Sequence, residues 1–414
     1  MAKTIFMFTQ NYPSIKGDSA FIASEIPFLC KKFDKVIVLS LLKEQKEKLC
    51  VPKNCTVYFL YSSNKIYSLF KVLFSVYFWK NIKFLYEEYK DMKKSNKFSI
   101  YTTLYTIRFY LRAVNRCNKI KKILKEEKLP DIFYSFWAET EILAALLIKC
   151  SAYVCTRMHG YDLYEERKPY NYQPFKKVID RKIDKCFFAC QQGKNYYLNK
   201  FATKPPQNYK TFYLGSLSDR TTYTNLSLTD IFEIVSVSNV IPLKRIEMII
   251  ETLSIVNSKI KIKWTHIGDG IDFNKIKTLA KEKLGKFDNI SFLFSGYIQH
   301  EKLIKYLSAH NFHCFITTSQ TEAAPVSISE ALSFSIPVIA PNVGGISEMI
   351  DNTNGILLPE TAKAKDFATA IEKIARMSPE QYEDLRRGAF SMWNKKFNGN
   401  TNYKVFAEYL YNLK

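Results

Sequence analysis

Long apolar runs are missing from this chain. No stretch of its 414 residues approaches the ~20 consecutive apolar positions that a membrane-spanning helix needs. The most apolar candidate, 72–79, is only eight residues long. Thr4 to Thr9 is too short for the hydrophobic region of a secretory signal, and Gln10, Asn11 and Pro13 follow at once. The nine cysteines include no C-x-x-C pair. Cys50 with Cys55, and Cys186 with Cys190, lack a second cluster of His or Cys. Such scattered thiols are expected to be reduced, in a cytoplasmic protein without a metal site or cofactor. Internal repeats, low-complexity tracts and recognised nucleic-acid motifs are absent. Acids are also scarce: 39 Asp and Glu face 61 Lys and Arg, a net charge of +22.

What is present reads as globular, with 47% apolar residues. The length exceeds one typical core and suggests two domains of about 200 residues. Strand and helix patterns alternate, which argues for parallel sheets in an α/β fold. In the first half, strands are expected at 3–8, 35–41, 131–136, 152–156, 185–190 and 209–214, with helices at 21–32 and 139–149. Residues 215–229 are rich in Ser and Thr and read as a linker. The second half restarts with strands at 232–238, 262–268, 290–296, 312–318, 337–341 and 355–358. Helices at 379–395 and 402–413 close the chain.

Half of the excess charge lies between Asn64 and Lys128, where 16 basic residues face 5 acids. Phe70, Phe74, Phe78, Trp79 and Phe84 are interleaved with them. Basic and aromatic residues on helices suit an anionic membrane surface. The same pattern is met in ordinary amphipathic helices whose lysines are solvated. Nucleic acid, which basic and aromatic interleaving also suits, has no motif to support it.

The segment from Thr321 to Ile350, TEAAPVSISEALSFSIPVIAPNVGGISEMI, carries the most information. Glu322 and Glu330 flank seven uncharged residues. The preceding NFHCFITTSQ reads as a buried strand, so Glu322 falls in a loop at a strand's carboxyl end and Glu330 in the helix that follows. Ligands of open α/β sheets bind there. Pro325 suits the first turn of that helix. The amides near Val326, Ser327 and Ile328 then form a site for phosphate. Glu330, about one and a half turns in, can accept hydrogen bonds from ribose hydroxyls, and Glu322 from a second polyol beyond the phosphates. Sugar, diphosphate and ribose in that order describe a nucleotide sugar. The plainer alternative is a helix capped by one acid and carrying another on its wet face.

This segment resembles the donor-site signature of the large retaining glycosyltransferase family with the GT-B fold. Members read roughly Glu-Gly-x-Pro-x-Ser-x-x-Glu-Ala, then a small-residue turn, a Pro-Val-Ile strand and Gly-Gly-x-x-Glu. Here those positions hold Glu322, Ala323, Pro325, Ser327, Glu330 and Ala331, the strand from Pro337 to Pro341, then Gly344, Gly345 and Glu348. Ala323 replaces the family's first glycine. Near residue 239, relatives read Gly-Arg-x-x-x-x-Lys-Gly, whose Arg and Lys clamp the diphosphate. Lys244 stands at the Lys position, Asn239 at the Arg and Arg245 at the following Gly. TRMHGYD, 156–162, resembles the family's Arg-x-His-Gly-x-Asp, with Arg157 and Asp162 able to pair. Phe21 to Glu25 matches its Phe-Ile-x-x-Glu, Gly17 its glycine-containing first loop, and 268–270 with Gly296 and Tyr297 its base-binding region. The resemblance covers about 230–360, then 1–30 and 150–215, and is thin in the basic region.

The resemblance implies two Rossmann-like domains facing each other across a cleft. An acceptor-binding domain would span 1–220 and a nucleotide-sugar domain 221–395. A final helix, 396–414, would pack back on the first domain. It implies a metal-independent retaining glycosyltransferase of the capsule, exopolysaccharide or lipopolysaccharide type, peripheral at the inner face of the cell membrane. Its partners would be a nucleoside diphosphate sugar, a glycan or lipid-linked acceptor and an anionic membrane surface, not nucleic acid. Glu322 would hold the donor sugar, Lys244 would stabilise the departing diphosphate, and His159 would hydrogen-bond the sugar. Glu330 would hold the ribose. Asn239, Pro325, Val326, Ser327, Gly17 and Tyr297 would complete the donor site. A sugar-nucleotide epimerase on the same fold and a catalytically silent membrane-docking scaffold are the alternatives.

Overall fold

The computed structural model describes residues 2–15, 17–43, 45, 47–61, 72–148, 150–223 and 225–413. The part of the basic region at 64–71, including Phe70, lies outside the described residues. The chain divides into two compact units, Met1–Phe212 with Tyr403–Lys414, and Tyr213–Asn402.

Unit 1 is built on a seven-stranded parallel sheet. Its strands are β1 (Thr4–Thr9), β2 (Lys35–Ser40), β3 (Cys55–Phe59), β4 (Ile132–Ser135), β5 (Tyr153–Met158), β6 (Lys185–Phe188) and β7 (Tyr209–Thr211). Their order is β3-β2-β1-β4-β5-β6-β7. The strands are near-continuous apolar runs because helices cover both faces. Ile5, Phe6 and Met7 are fully buried although they point alternately up and down. β3 is the strand the sequence pattern did not suggest. It is a short edge strand with only Cys55 buried, so it carries little apolar signal. Among the described residues, three helices, Val76–Lys80, Lys83–Lys94 and Ile100–Glu126, occupy the basic region. The longest is started by a capping box in which Ser99 and Thr102 exchange hydrogen bonds.

Unit 2 repeats the plan with six parallel strands. They are β8 (Ile231–Val237), β9 (Lys261–Ile267), β10 (Ile290–Phe294), β11 (Cys314–Ile316), β12 (Val338–Pro341) and β13 (Gly355–Leu358), in the order β10-β9-β8-β11-β12-β13. Each sheet begins in the middle, at β1 or β8, winds outward, then crosses back to place β4 or β11 on the other side. That reversal leaves a crevice beyond the strands' carboxyl ends, where open α/β sheets bind ligands.

The unit boundary falls at 212/213, not 220/221, and the expected linker is structural at its start. Ser216 is buried and shares a hydrogen bond of 3.0 Å with Ser329 Oγ. It also accepts from Trp393 Nε1 at 3.0 Å. A Cβ on Gly215 would lie 2.2 Å from the Phe397 carbonyl, so only glycine fits there. Gly215 at the start of this segment is small because backbone packs against backbone. The helix Pro379–Met392 ends in a π-turn, Trp393–Phe397, and a last helix runs from Gly399 to Tyr411. Residues from Tyr403 onward belong to unit 1, not from 396, and Phe406, Ala407 and Leu410 join its core.

Candidate active site

In unit 2 the topology brings distant segments together. β8 pairs with β11, Ile234 beside Cys314 and Val235 beside Phe315. The loops leaving these strands therefore emerge side by side. The β8 loop forms a 3₁₀ turn, Pro242–Lys244, before the helix Ile246–Leu253. The β11 loop is laced to it. Gln320 N donates to the Leu243 carbonyl at 2.9 Å, and Thr318 Oγ1 donates to the carbonyls of Lys244 and Arg245 at 3.0 and 2.8 Å. The result is an ion pair between Lys244 Nζ and Glu322 Oε1, both mostly shielded from solvent. The two residues placed on separate parts of a donor by sequence are thus direct partners.

Gly344 explains the Gly-Gly pair. Its φ is +54°, and a Cβ there would lie 1.5 Å from the Glu322 carbonyl oxygen. The Gly344 backbone is the floor on which the Glu322 loop rests. Ala323 has no left-handed backbone, so the departure from the family's glycine carries no strain. Arg245 does have one, with φ 47° and ψ 46°. That is the backbone region that favours glycine, the residue of the family pattern at this position. Arg245 Nε donates to the Thr318 carbonyl at 2.6 Å, while Nη2 is buried without a partner among the described residues.

Pro325 does not occupy the first helical turn. It is the cap residue just before the helix Val326–Ser333. Ile328 N already donates to the Pro325 carbonyl at 3.1 Å. Of the three amides expected to be free, Ile328 is committed, which leaves Val326 and Ser327. Glu330 is buried, not on a wet face, because this short helix packs against β12 and the helix Pro379–Met392, with Ile328, Ala331 and Leu332 also buried. His300 Nε2, opening the helix His300–Ala309, lies 2.7 Å from Glu330 Oε1. Burial works against a charge on His300. The Glu330 hydrogen bond and charge, with Glu301, outweigh it and raise its pKa. Sequence reading passed over His300, since a lone His at a helix start has no motif around it. Asn239 is exposed in the β8 loop and Tyr297 is half exposed after β10. Gly268, φ +145°, is bridged to Gly296 beside the β8 loop.

In unit 1, His159 follows β5 and is buried. Its ring stacks on Phe136 at 4.6 Å and tilts against Trp137 at the same distance. Nε2 lies 3.0 Å from the Phe136 carbonyl. A carbonyl only accepts, so Nε2 carries the proton and Nδ1 is left as the acceptor. Burial and the nearby Arg157 charge push the pKa down to about 3, so the ring is neutral. Arg157 does not pair with Asp162. It pairs with Glu25 at 2.5 Å, both fully buried, and lies 3.8 Å from the Phe406 ring centre. Asp162 instead accepts from the amides of Ala138 and His159 at 2.7 and 2.8 Å. It fixes the loop after β4 to the loop after β5. The Phe-Ile-x-x-Glu and Arg-x-His matches are therefore two halves of one buried ion pair. Gly17 has φ +79° in the loop after β1. Next to it, Asp18 accepts from the amides of Gln10 and Asn11 and from Trp137 Nε1 at 2.8–3.0 Å.

Comparison with known proteins bears on this geometry. Residues 224–392 match the family model of glycosyl transferases group 1. No curated protein matches the sequence. Among solved structures, Anabaena HepE in complex with UDP and glucose aligns over 99% of this chain and 100% of its own, with 15% identity and a TM-score of 0.69. Sucrose-phosphate synthase from Thermosynechococcus elongatus aligns over 99% and 98%, with 14% identity and a TM-score of 0.70. The apo form of the lipopolysaccharide outer core galactosyltransferase WaaB aligns over 98% and 99%, with 15% identity and a TM-score of 0.66. Residues 224–392 are thus similar to the group 1 glycosyltransferases, and the chain as a whole has the GT-B fold of two Rossmann-like units.

Proposed function

We propose that this protein transfers a sugar, with retention and without a metal, from a nucleoside diphosphate donor to a hydroxyl of a glycan or lipid-linked acceptor. The observation that carries this reading is the meeting of Lys244 and Glu322 beside the helix that holds Glu330, all within the matched domain. HepE is described with UDP, glucose and UDP-glucose, which supports a uridine donor. WaaB and WaaG act in lipopolysaccharide synthesis, which supports a surface polysaccharide as product.

In this mechanism the diphosphate takes Lys244 from Glu322, and the amides of Val326 and Ser327 meet its other oxygens. Arg245, with its free Nη2, supplies the second cation that Asn239 does not. Glu322, released, accepts from the donor sugar's hydroxyls. Glu330 takes the ribose. The bond from the anomeric carbon to the diphosphate breaks, and the charge that develops is stabilised by Lys244. The acceptor oxygen attacks from the same face and passes its proton to the leaving phosphate. His159, with a neutral ring whose Nδ1 can accept, is suited to hydrogen-bond a sugar hydroxyl and not to act as the base.

Membrane docking is part of the proposal. Phe74, Val76 and Trp79 are 87%, 70% and 62% exposed, next to Lys80 and Lys83. Large exposed apolar groups beside lysines suit an anionic interface. Among the described residues no helix is long and apolar enough to cross a membrane.

The test is thermal shift against UDP, GDP, ADP and their sugars, with and without a chelator. Ligands that bind the native state raise its melting temperature. A selective shift that survives the chelator and is lost in Glu330→Gln is expected. A nucleotide sugar converted into an isomer with its nucleotide attached would replace this reading with an epimerase.

A further inference from the structure

A cavity of unit 1, about 630 Å³, is not used by the donor chemistry above. Gln10, after β1, and the segment Glu139–Glu141, after β4, line it, so it opens at the carboxyl edge of the sheet where the strand order reverses. That is the ligand position of an open α/β sheet.

Its wall is the helix Ile100–Glu126, which presents Arg108, Arg112 and Arg116. Spaced four residues apart, they form one column about 12 Å long. Like charges at this spacing repel each other. Arg116 is paired with Glu141 at 2.9 Å, and Lys168 with Glu139 at 2.5 Å. Arg108 and Arg112 have no ion-pair or hydrogen-bond partner among the described residues. Arg116 Nη1 is buried and equally unpartnered. Partial burial, with Arg108 and Arg116 alongside, pushes the Arg112 pKa down. Four cations thus face a cavity that holds two carboxylates, each paired through one oxygen, with Glu141 Oε2 buried and unpartnered among the described residues.

The mouth is aromatic. Tyr101 and Tyr170 stack at 5.8 Å, and Tyr105 meets Tyr170 edge-on at 6.1 Å. Tyr170 is held out by a left-handed turn, φ 62°, whose next residue accepts from Lys97 Nζ at 3.0 Å. Rings at the rim suit the apolar faces of sugars. Planar guanidinium groups suit the paired oxygens of phosphate.

We infer that this cavity binds the phosphate or diphosphate group of the acceptor, with Arg108, Arg112 and Arg116 as its ligands and the tyrosines against the attached sugar. The inference rests on the reading that unit 1 takes the acceptor. The group could belong to a soluble sugar phosphate or to a lipid diphosphate, and the test separates these sources.

The full-length protein is titrated calorimetrically with inorganic pyrophosphate, with a sugar 1-phosphate, and with neutral vesicles containing a polyprenyl diphosphate. Wild type, Arg108→Gln/Arg112→Gln and Glu330→Gln are compared. At least one probe should bind wild type and Glu330→Gln alike, and about tenfold or more weakly to the double variant. Nucleotide-induced stabilisation should be unchanged in the double variant, which shows that it is folded. A soluble source is indicated by the sugar phosphate, a lipid source by vesicles alone. Equal binding of all three probes by wild type and a folded double variant overturns the inference, as does binding of none. Arginine-dependent phosphate binding without any response to nucleotides would sink the donor reading and leave this one standing.

Discussion

Replacing Gly344 with alanine should disable the site without touching a chemical group. The added Cβ would sit 1.5 Å from the Glu322 carbonyl oxygen. Carbon and oxygen need about 3.3 Å or more, so roughly 1.8 Å must be found. The backbone at 344 also has φ +54°, which costs alanine roughly 1–2 kcal/mol. Rotating Gly344 away or pushing the loop aside both move the Glu322 peptide by more than 1 Å. A displacement of that size costs about a hundredfold in rate. Strain and lost packing together should destabilise unit 2 by about 2–3 kcal/mol, or roughly 4–12 °C in melting temperature for a unit of this size. The assay is release of nucleoside diphosphate from the donor that gives the selective thermal shift, alongside a melting curve. Glu322→Gln serves as the comparison, losing the charge while keeping the loop. If Gly344→Ala melts like wild type and keeps activity within about threefold, the role given to this close approach is wrong.

Three further outcomes follow from the geometry. Glu25→Ala strands Arg157 in the core, and removing one partner of a buried pair costs about 3–5 kcal/mol; a melting temperature within about 2 °C of wild type would contradict the pairing. Because Glu330 raises the His300 pKa, the pair stabilises the fold fully below the unfolded value, about pH 6.5, and the benefit fades as pH rises through the higher folded value. The melting gap between wild type and His300→Gln should therefore be wide near pH 6 and narrow near pH 9, and a constant gap would refute the charged pair. Arg245→Gly removes left-handed strain of about 1–2 kcal/mol and a hydrogen bond worth about 1 kcal/mol, so stability should hardly change while affinity for nucleoside diphosphate falls. Calorimetry showing undiminished affinity would remove Arg245 from the donor site.

The alternation of strand and helix was legible in the sequence because parallel strands buried on both faces read as unbroken apolar runs. Ile5 to Phe8 and Val338 to Pro341 are such runs. The placing of Glu322 and Glu330 on one loop and helix was legible because motif spacing is local, and Lys244 was legible in a separate motif after β8 for the same reason. The Gly-Gly pair was legible as a signature, but its reason was not.

What the tertiary structure decided is pairing. Lys244 and Glu322 are 78 residues apart, and only the β8–β11 crossover makes them neighbours. Asp162 is as buried as Glu25, but its oxygens are taken by the amides of Ala138 and His159, and Arg157 pairs with Glu25. His300 gained its role from the helix opposite, and Ser216 lost its freedom to Trp393. Sequence fixes which groups a segment offers and the period with which it offers them. Which group a charge meets depends on strand order and on what is desolvated beside it, and those are properties of the assembled fold.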